Sequence, residues 1–305
     1  MFIWILMLCV IFAICAGAAL YLMARVRRLG WLKGIKKTWA RLIGAAVVLL
    51  PAAALSFLWS PLNMVVCVLH LALFLLLADG ISALARRLRR RDFRRDWAGL
   101  AALLLCAAWL TSGWVNANHV WRTQYTIETD KPVGSLRVAL LSDSHMGTTF
   151  HADGFAGRLA DVQAQEPDVA VFVGDFTDES TTREDMAAAA RALGALKTPC
   201  GVYFVFGNHD KNNYEGEGRA YTGEELAAEF TKNGVVVLED EIVPIRGGFC
   251  LIGRQDASEE TENRGGRASM AELTRNLDES RFSIVLDHQP RDYAAQAASG
   301  VDLVL

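Results

Sequence analysis

The sequence predicts an α-helical transmembrane region followed by a layered α/β domain. Long apolar segments fill residues 1–115, and the first of them, Phe2–Ala24, is uncharged and long enough to cross a bilayer core of about 30 Å. From residue 136 onward, short β-branched or apolar runs alternate with helical stretches, a pattern typical of parallel βαβ units. The chain therefore combines a membrane region with one α/β domain at 136–305.

Three further apolar segments lie at 42–59, 62–78 and 98–115. They are at the lower end of the length range for membrane-spanning helices, so with 2–24 they give a best count of about four spans. Counts of three or two also fit the pattern. Only Ser60 and Pro61 join the second and third segments, which suits a tight helical hairpin. Residues 116–135 are predicted to link the last span to the α/β domain.

Basic residues predict how the spans are oriented. The connections at 25–41 and 79–97 are rich in Lys and Arg, whereas the turn between the second and third segments carries no charge. Because basic connections stay preferentially on the cytoplasmic side, both are predicted to be cytoplasmic. Everything after Val115 then lies outside the cytoplasm. We therefore expect a multi-pass protein of the cell membrane with an extracytoplasmic α/β domain.

Net charge divides the chain in the same way. Residues 1–130 contain 15 Lys/Arg against 5 Asp/Glu, a net charge of +10, and residues 131–305 contain 16 against 29, a net charge of −13. The acidic half argues against nucleic acid as a partner, since polyanion binding depends on clustered basic side chains. The basic half predicts a lipid bilayer as its partner. Cys200 and Cys250 lie in the α/β domain, and the sequence leaves open whether they form a disulfide.

Polar motifs follow the predicted strands of the α/β domain. After the runs at 136–141, 169–173 and 202–206 come Asp143-Ser144-His145, Gly174-Asp175-Phe176-Thr177-Asp178 and Gly207-Asn208-His209-Asp210, and His288 follows a fourth run. The carboxyl ends of parallel strands meet at one edge of an open sheet, so these side chains should converge. Carboxylate, imidazole and amide ligands suit Mn²⁺, Fe or Zn²⁺ better than Mg²⁺ alone. The motifs therefore predict a two-metal hydrolase.

Each motif taken alone has a simpler explanation. Asp143 and His145 are compatible with an ordinary strand-end turn, and the run at 207–210 is compatible with a tight turn that uses Gly and Asn. The order of the motifs, and their common position after strands, favours the metal site. His151, just after the first motif, is instead predicted to be a surface residue at a helix start.

In their order, the motifs resemble those of the calcineurin-like metallophosphoesterase family, which are D-x-H, G-D-x-x-D, G-N-H-[DE], a single His and G-H-x-H. The resemblance covers residues 136–305 and implies a layered α/β sandwich with two divalent metal ions. The ligands that it implies are Asp143 and His145 for the first metal, Asp175 as the bridge, and Asn208 and His288 for the second. His209 would stabilise phosphoryl oxygens or act as a general acid, and Asp178 and Asp210 would orient the ligands.

The last motif of the family, G-H-x-H, does not occur in the sequence. Residues 301–305 read as one more buried strand, and the motif would follow such a strand directly. We therefore expect the chain to be a fragment cut just before the last two ligands. Each metal would then lack one imidazole, so the predicted function belongs to the complete protein.

The leading functional hypothesis is hydrolysis of a phosphomonoester, phosphodiester or pyrophosphate bond at the external membrane face, by a hydroxide that two metal ions activate. The substrate would be a phosphorylated small molecule or a lipid-linked compound. The alternative is a non-catalytic, membrane-anchored ligand-binding protein with a degenerate or truncated phosphoesterase domain. A transporter or channel is disfavoured, because the spans carry almost no polar residues.

Overall fold

The computed structural model describes residues 2–28, 32, 34–89, 97–211, 220–260 and 266–305. The chain divides into two compact units, Met1–His119 and Val120–Leu305. Some of the basic residues used to predict the orientation lie outside the described residues, namely Lys33, Arg90, Arg91, Arg94 and Arg95.

Four long helices make up the first unit. They are α1 (Phe2–Val26), α2 (Lys37–Leu58), α3 (Pro61–Arg89) and α4 (Trp97–Asn118). All four are long and apolar enough to cross a membrane, which confirms the prediction of four long apolar helices. The predicted span at 62–78 lies inside α3, which continues to Arg89. The added stretch is rich in Ala, Leu and Arg, which favour helix.

Small residues bring these helices together. Ala18, Ala72, Ala78 and Ala102 are buried in one cluster, together with leucines from α1 and α3. Small side chains allow close backbone approach, which is the main way that helices pack where water provides no hydrophobic driving force. Large apolar side chains point outward instead, and Phe57 is 90 % exposed. Such an exposed apolar surface is typical of helices that face lipid.

Two four-stranded sheets form the centre of the second unit. The first sheet is parallel, in the order β1 (Val138–Leu141), β2 (Val169–Val173), β3 (Val202–Val205) and β4 (Val235–Val237). The second has the order β5 (Glu241–Ile245), β6 (Phe249–Gly253), β7 (Phe282–Leu286) and β8 (Leu303–Val304). Its β5–β6 pair is antiparallel and its other pairs are parallel. The predicted parallel strands that precede the motifs are therefore confirmed.

Helices cover the outer faces of the two sheets. They are α5 (Ala152–Gln163), α6 (Arg183–Gly194), α7 (Gly223–Lys232), α8 (Met270–Leu273) and α9 (Tyr293–Ala298). One core joins β2, β3, β6 and β7 between the sheets, and a second joins the other face of the first sheet to α5, α6 and α7. The result is the layered α/β sandwich that the sequence predicts.

The helix α8 is short and covers only Met270–Leu273. It begins with a capping box, in which Ser269 accepts from the Glu272 amide and Glu272 accepts from the Ser269 amide. Thr274 already has non-helical backbone angles, and neither it nor Asn276 favours helix.

The remaining polar and sulfur-containing residues of the second unit occupy ordinary positions. His151 is the exposed N-cap residue of α5, as predicted, and its Nδ1 lies 3.1 Å from an Asp185 carboxylate oxygen. Cys200 is half-buried, Cys250 is buried, and both are free thiols in the structure.

Candidate metal centre

The loops after β1 and β2 hold two of the predicted motifs in an unusual backbone conformation. Asp143, His145 and Asp175 have φ angles of 54°, 38° and 51°. Residues other than glycine rarely adopt this left-handed region, and such backbone strain clusters at functional sites. The amides of Asp143 and His145 donate to the carbonyls of Gly174 (3.0 Å) and Asp175 (3.1 Å). These hydrogen bonds join the two loops side by side.

Two glycines are required because functional side chains lie against their backbones. A Cβ atom on Gly174 would be 2.3 Å from Cγ of His288, and one on Gly207 would be 2.3 Å from Oδ1 of Asp175. Both distances are far below van der Waals contact. The glycines of the second and third motifs therefore make room for the imidazole of His288 and the carboxylate of Asp175.

Asp175 belongs to two separate groups of potential metal ligands. One group contains His145, Asp175 and His209, the other contains Asp143, Asp175 and His288, and within each group the ligand atoms lie within 4.8 Å of one another. Nε2 of His145 is 3.6 Å and Nε2 of His288 is 3.2 Å from Oδ2 of Asp175. Asp175 is 4 % exposed, so its carboxylate is screened little by water. A carboxylate in this position can contact two ions.

His288 is oriented by the backbone of β2. Its Nδ1 lies 3.0 Å from the carbonyl oxygen of Val173, to which it donates, so Nε2 faces Asp175. A backbone acceptor on the second ring nitrogen is the usual way to orient an imidazole ligand. Burial lowers the pKa of His288, but the hydrogen bond and the charge of Asp175 outweigh it and raise the pKa to about 9. A cation that binds Nε2 would therefore have to displace a proton.

Asp175 is held in its ionised form by its neighbours. Burial raises the pKa of this carboxyl group. The hydrogen bonds from His288 and from the His209 amide lower it by more, so the pKa is below its ordinary value. The His209 amide donates to Oδ1 over 2.9 Å. Asp175 is thus ready to coordinate cations near neutral pH.

Glu179 contacts the imidazole of His209. Oε1 of Glu179 lies 2.9 Å from Nδ1 of His209, and the rings of His209 and His145 are 5.0 Å apart in an edge-to-face arrangement. The resemblance does not assign Glu179 any role. A carboxylate at this distance from Nδ1 holds the ring in one orientation, which a group that transfers a proton needs.

Asn208 lies beside the second ligand group. It is 6 % exposed, and its Oδ1 accepts a hydrogen bond from Nε2 of Gln289, the residue after His288. The turn after β3 and the turn after β7 are therefore in contact.

Asp178 and Asp210 brace loops in the structure. Asp178 accepts from the amide and the hydroxyl of Ser180, each over 2.7 Å. Asp210 is fully buried and accepts from the amides of Thr177 and Gly207, each over 2.9 Å. Asp210 thereby ties the second motif to the third. Neither aspartate contacts an imidazole through a hydrogen bond among the described residues.

The donor set fits divalent cations. Two carboxylates and three imidazoles converge within the two ligand groups, and Asn208 adds an amide oxygen near the second. Mixed oxygen and nitrogen donors suit Mn²⁺, Fe and Zn²⁺, and a shared carboxylate is a common feature of paired-ion sites.

Comparison with known proteins places this site in a family. A sequence model of calcineurin-like phosphoesterases matches residues 136–305, more than half of the chain. The chain belongs to the calcineurin-like phosphoesterase family. Members of this family generally use divalent metal ions, in agreement with the carboxylates and imidazoles gathered around Asp175.

Similar proteins come from distant organisms. An uncharacterised metallophosphoesterase of Aquifex aeolicus is 30% identical over 185 residues, which are 60% of this chain and 66% of that protein. A transmembrane protein with metallophosphoesterase domain of Danio rerio is 36% identical over 121 residues, 38% of this chain and 27% of its own. An uncharacterised metallophosphoesterase of Helicobacter pylori is 31% identical over 179 residues, 58% and 45% of the two chains. This chain therefore matches less than two thirds of each relative's length.

Asp143 also lies close to His145, with 4.0 Å between Oδ1 of Asp143 and Nε2 of His145. The assignment of these residues to a first and a second metal stays a prediction. Glu179 and Gln289 are not predicted from the sequence. Each directly follows a predicted site residue, but only the loop geometry shows that the side chain turns back to the site.

Proposed function

We propose that this phosphoesterase family member hydrolyses a phosphomonoester, phosphodiester or pyrophosphate bond in a metal-dependent reaction. The proposed substrate is a phosphorylated small molecule or a lipid-linked compound. The observation that carries the proposal is Asp175, a buried carboxylate shared by two groups of potential ligands. Sites for paired ions with a shared carboxylate suit in-line displacement at phosphorus.

The proposed ligands are Asp143, His145, Asp175, Asn208 and His288, and they would hold two ions of Mn, Fe or Zn. Bound there, the ions would supply Lewis-acid charge and lower the pKa of an attacking water. Asp175 is kept ionised by the two histidines near it. Asp178 and Asp210 would fix the conformation of the loops that carry the ligands, since their carboxylates accept hydrogen bonds from loop amides.

The proposed role of His209 is to donate a proton to the leaving group or to stabilise charge on the phosphoryl oxygens. Nδ1 of His209 contacts Glu179, so the proposal assigns proton transfer to Nε2. Because its backbone amide already binds Asp175, His209 is fixed next to the ligands without its ring having to coordinate. Proton transfer by a positioned side chain typically accelerates reactions by about 10²–10⁴-fold.

His209→Ala is therefore expected to lower kcat by roughly 10²–10⁴ while the metal content stays at the wild-type value. Hydrolysis of a chromogenic phosphodiester with added Mn²⁺ and elemental analysis of the same samples would measure both quantities. Glu179→Gln is the matched variant, since it keeps the contact but removes the charge, and a smaller loss of kcat is expected. Loss of metal in proportion to activity in His209→Ala would show that His209 is a ligand.

We also propose that the phosphoesterase unit is extracytoplasmic. Two observations support this proposal. Basic residues are frequent near the α1–α2 and α3–α4 connections, and the turn between α2 and α3 contains no basic residue. Reversing the orientation would carry the basic connections across the membrane, against the bias that governs insertion. An external site would not reach nucleotide-linked lipids, which are made in the cytoplasm.

Thiol labelling in intact cells tests this orientation. A cysteine at exposed Glu279, in a background lacking Cys200 and Cys250, is expected to react with a membrane-impermeant reagent. A cysteine at exposed Arg87, near the end of α3, is expected to react only after the membrane is opened. The reverse labelling pattern would place the phosphoesterase unit in the cytoplasm with the spans inverted. Labelling of both cysteines, or of neither, in intact cells would show that α4 does not span.

A further inference from the structure

A cavity lies between the end of α1 and the beginning of α2. Its volume is about 380 Å³, within the range of pockets that hold small ligands. Three cationic residues line it, namely Arg27, Arg28 and Lys37, and the apolar residues Ala24, Leu32, Ile35 and Ala40 complete the wall. The cavity thus combines a cationic rim with an apolar lining, at the level where two apolar helices reach their polar ends.

The packing of the two helices fixes part of this rim. A Cβ atom on Gly44 would lie 3.0 Å from the carbonyl oxygen of Met23 and 3.2 Å from Cγ of Arg27. The stem of Arg27 therefore lies across the glycine of α2, which restricts where its guanidinium can reach. Leu32 is 4 % exposed and forms a buried part of the wall.

The three cations of the rim form no ion pair with a carboxylate among the described residues, although Arg28 is close enough to Asp79 to act on its charge. The nearby acidic residue of α3, Asp79, is already bound by the guanidinium of Arg25 and by the hydroxyl of Tyr21. Three positive charges around one cavity repel one another unless an anion binds between them.

We propose that this cavity binds the head group of an anionic phospholipid. The phosphate would lie among Arg27, Arg28 and Lys37, and the beginning of an acyl chain would pack on Leu32 and Ile35. Basic pockets between transmembrane helices are typical sites for anionic lipid head groups. The lipid is favoured over free phosphate because half of the lining is apolar and continuous with helices that carry exposed apolar side chains.

Titration with defined lipids, followed by native mass spectrometry of the detergent-purified full-length protein, tests the proposal. We expect one phosphatidylglycerol to be retained in preference to phosphatidylcholine. Arg27→Gln/Arg28→Gln should weaken retention by roughly 30-fold, because each removed cation near a lipid surface is worth about fivefold. The matched control is Arg86→Gln/Arg87→Gln, which removes two exposed cations from the end of α3, outside the cavity lining, and should change retention little.

A second variant keeps every charge and removes the space. Ala40→Trp would fill the cavity, and it should abolish selective retention of phosphatidylglycerol while the helical circular dichroism signal is unchanged. Millimolar inorganic phosphate should not displace the lipid. The proposal would be overturned if the two double arginine variants weakened phosphatidylglycerol retention equally, or if Ala40→Trp still retained this lipid selectively. Equal binding of phosphatidylcholine, or displacement of the lipid by inorganic phosphate, would also overturn it.

Discussion

Asp175→Asn is expected to abolish hydrolysis of a chromogenic phosphodiester or monoester by the full-length protein with added Mn²⁺. Asp175 is the one residue common to both ligand groups, and its buried carboxylate lies within 3.6 Å of Nε2 of His145 and 3.2 Å of Nε2 of His288. The amide keeps the shape but loses the charge that would face both ions. A fall of roughly 10³-fold or more in kcat/KM is expected, since paired ions supply several kcal/mol of charge stabilisation.

The matched control is Asp161→Asn on the surface of α5. This side chain is 78% exposed and belongs to neither ligand group. It should leave kcat/KM within about twofold of wild type, since surface substitutions away from sites change little. Near-wild-type turnover by Asp175→Asn would contradict the proposed role of the shared carboxylate.

Arg254→Met is expected to destabilise the phosphoesterase unit by about 3–5 kcal/mol, the usual cost of removing one partner of a buried ion pair. Arg254 is 1 % exposed, and its guanidinium donates to Asp287 and Asp292, each over 2.9 Å. Asp287 also accepts from Arg267 over 3.0 Å. Without Arg254, the two aspartates keep one guanidinium between them and part of their charge is left buried without compensation.

Urea unfolding followed by pulse proteolysis of the full-length protein measures the loss. Arg183→Met is the control, because Arg183 donates to Glu225 over 2.8 Å but both side chains are about half exposed. Such surface pairs contribute about 0–1 kcal/mol, so a small shift is expected. Equal shifts for the two variants would show that burial of the Arg254 cluster does not matter.

The strands and their motifs could be predicted because the signals are local. The buried apolar run of β2 is followed at once by Gly174 and Asp175, and a parallel strand end places them at the sheet edge whatever the rest of the chain does. The apolar helices of the first unit are predictable for a similar reason, since length and composition alone identify them.

The contacts that orient the site could not be predicted, because they depend on how loops turn. Glu179 is one of many acidic residues in the sequence, and nothing in its neighbours indicates that it contacts His209 rather than solvent. Arg254 gives no sign in the sequence that it is buried, since its partner Asp287 lies on another strand end. Such pairs follow from tertiary packing, which local sequence patterns do not encode.

The shared carboxylate makes metal content the most direct test of the proposed site, because it does not require knowledge of the substrate. Equilibrium dialysis of the full-length protein against Mn²⁺, followed by elemental analysis, should give about two ions per chain for wild type, as expected for a paired-ion site. Asp175→Asn should bind fewer than wild type by at least one ion, whereas Asp161→Asn should match wild type. Full metal content in Asp175→Asn, or no metal in the wild-type protein, would contradict the proposed metal centre.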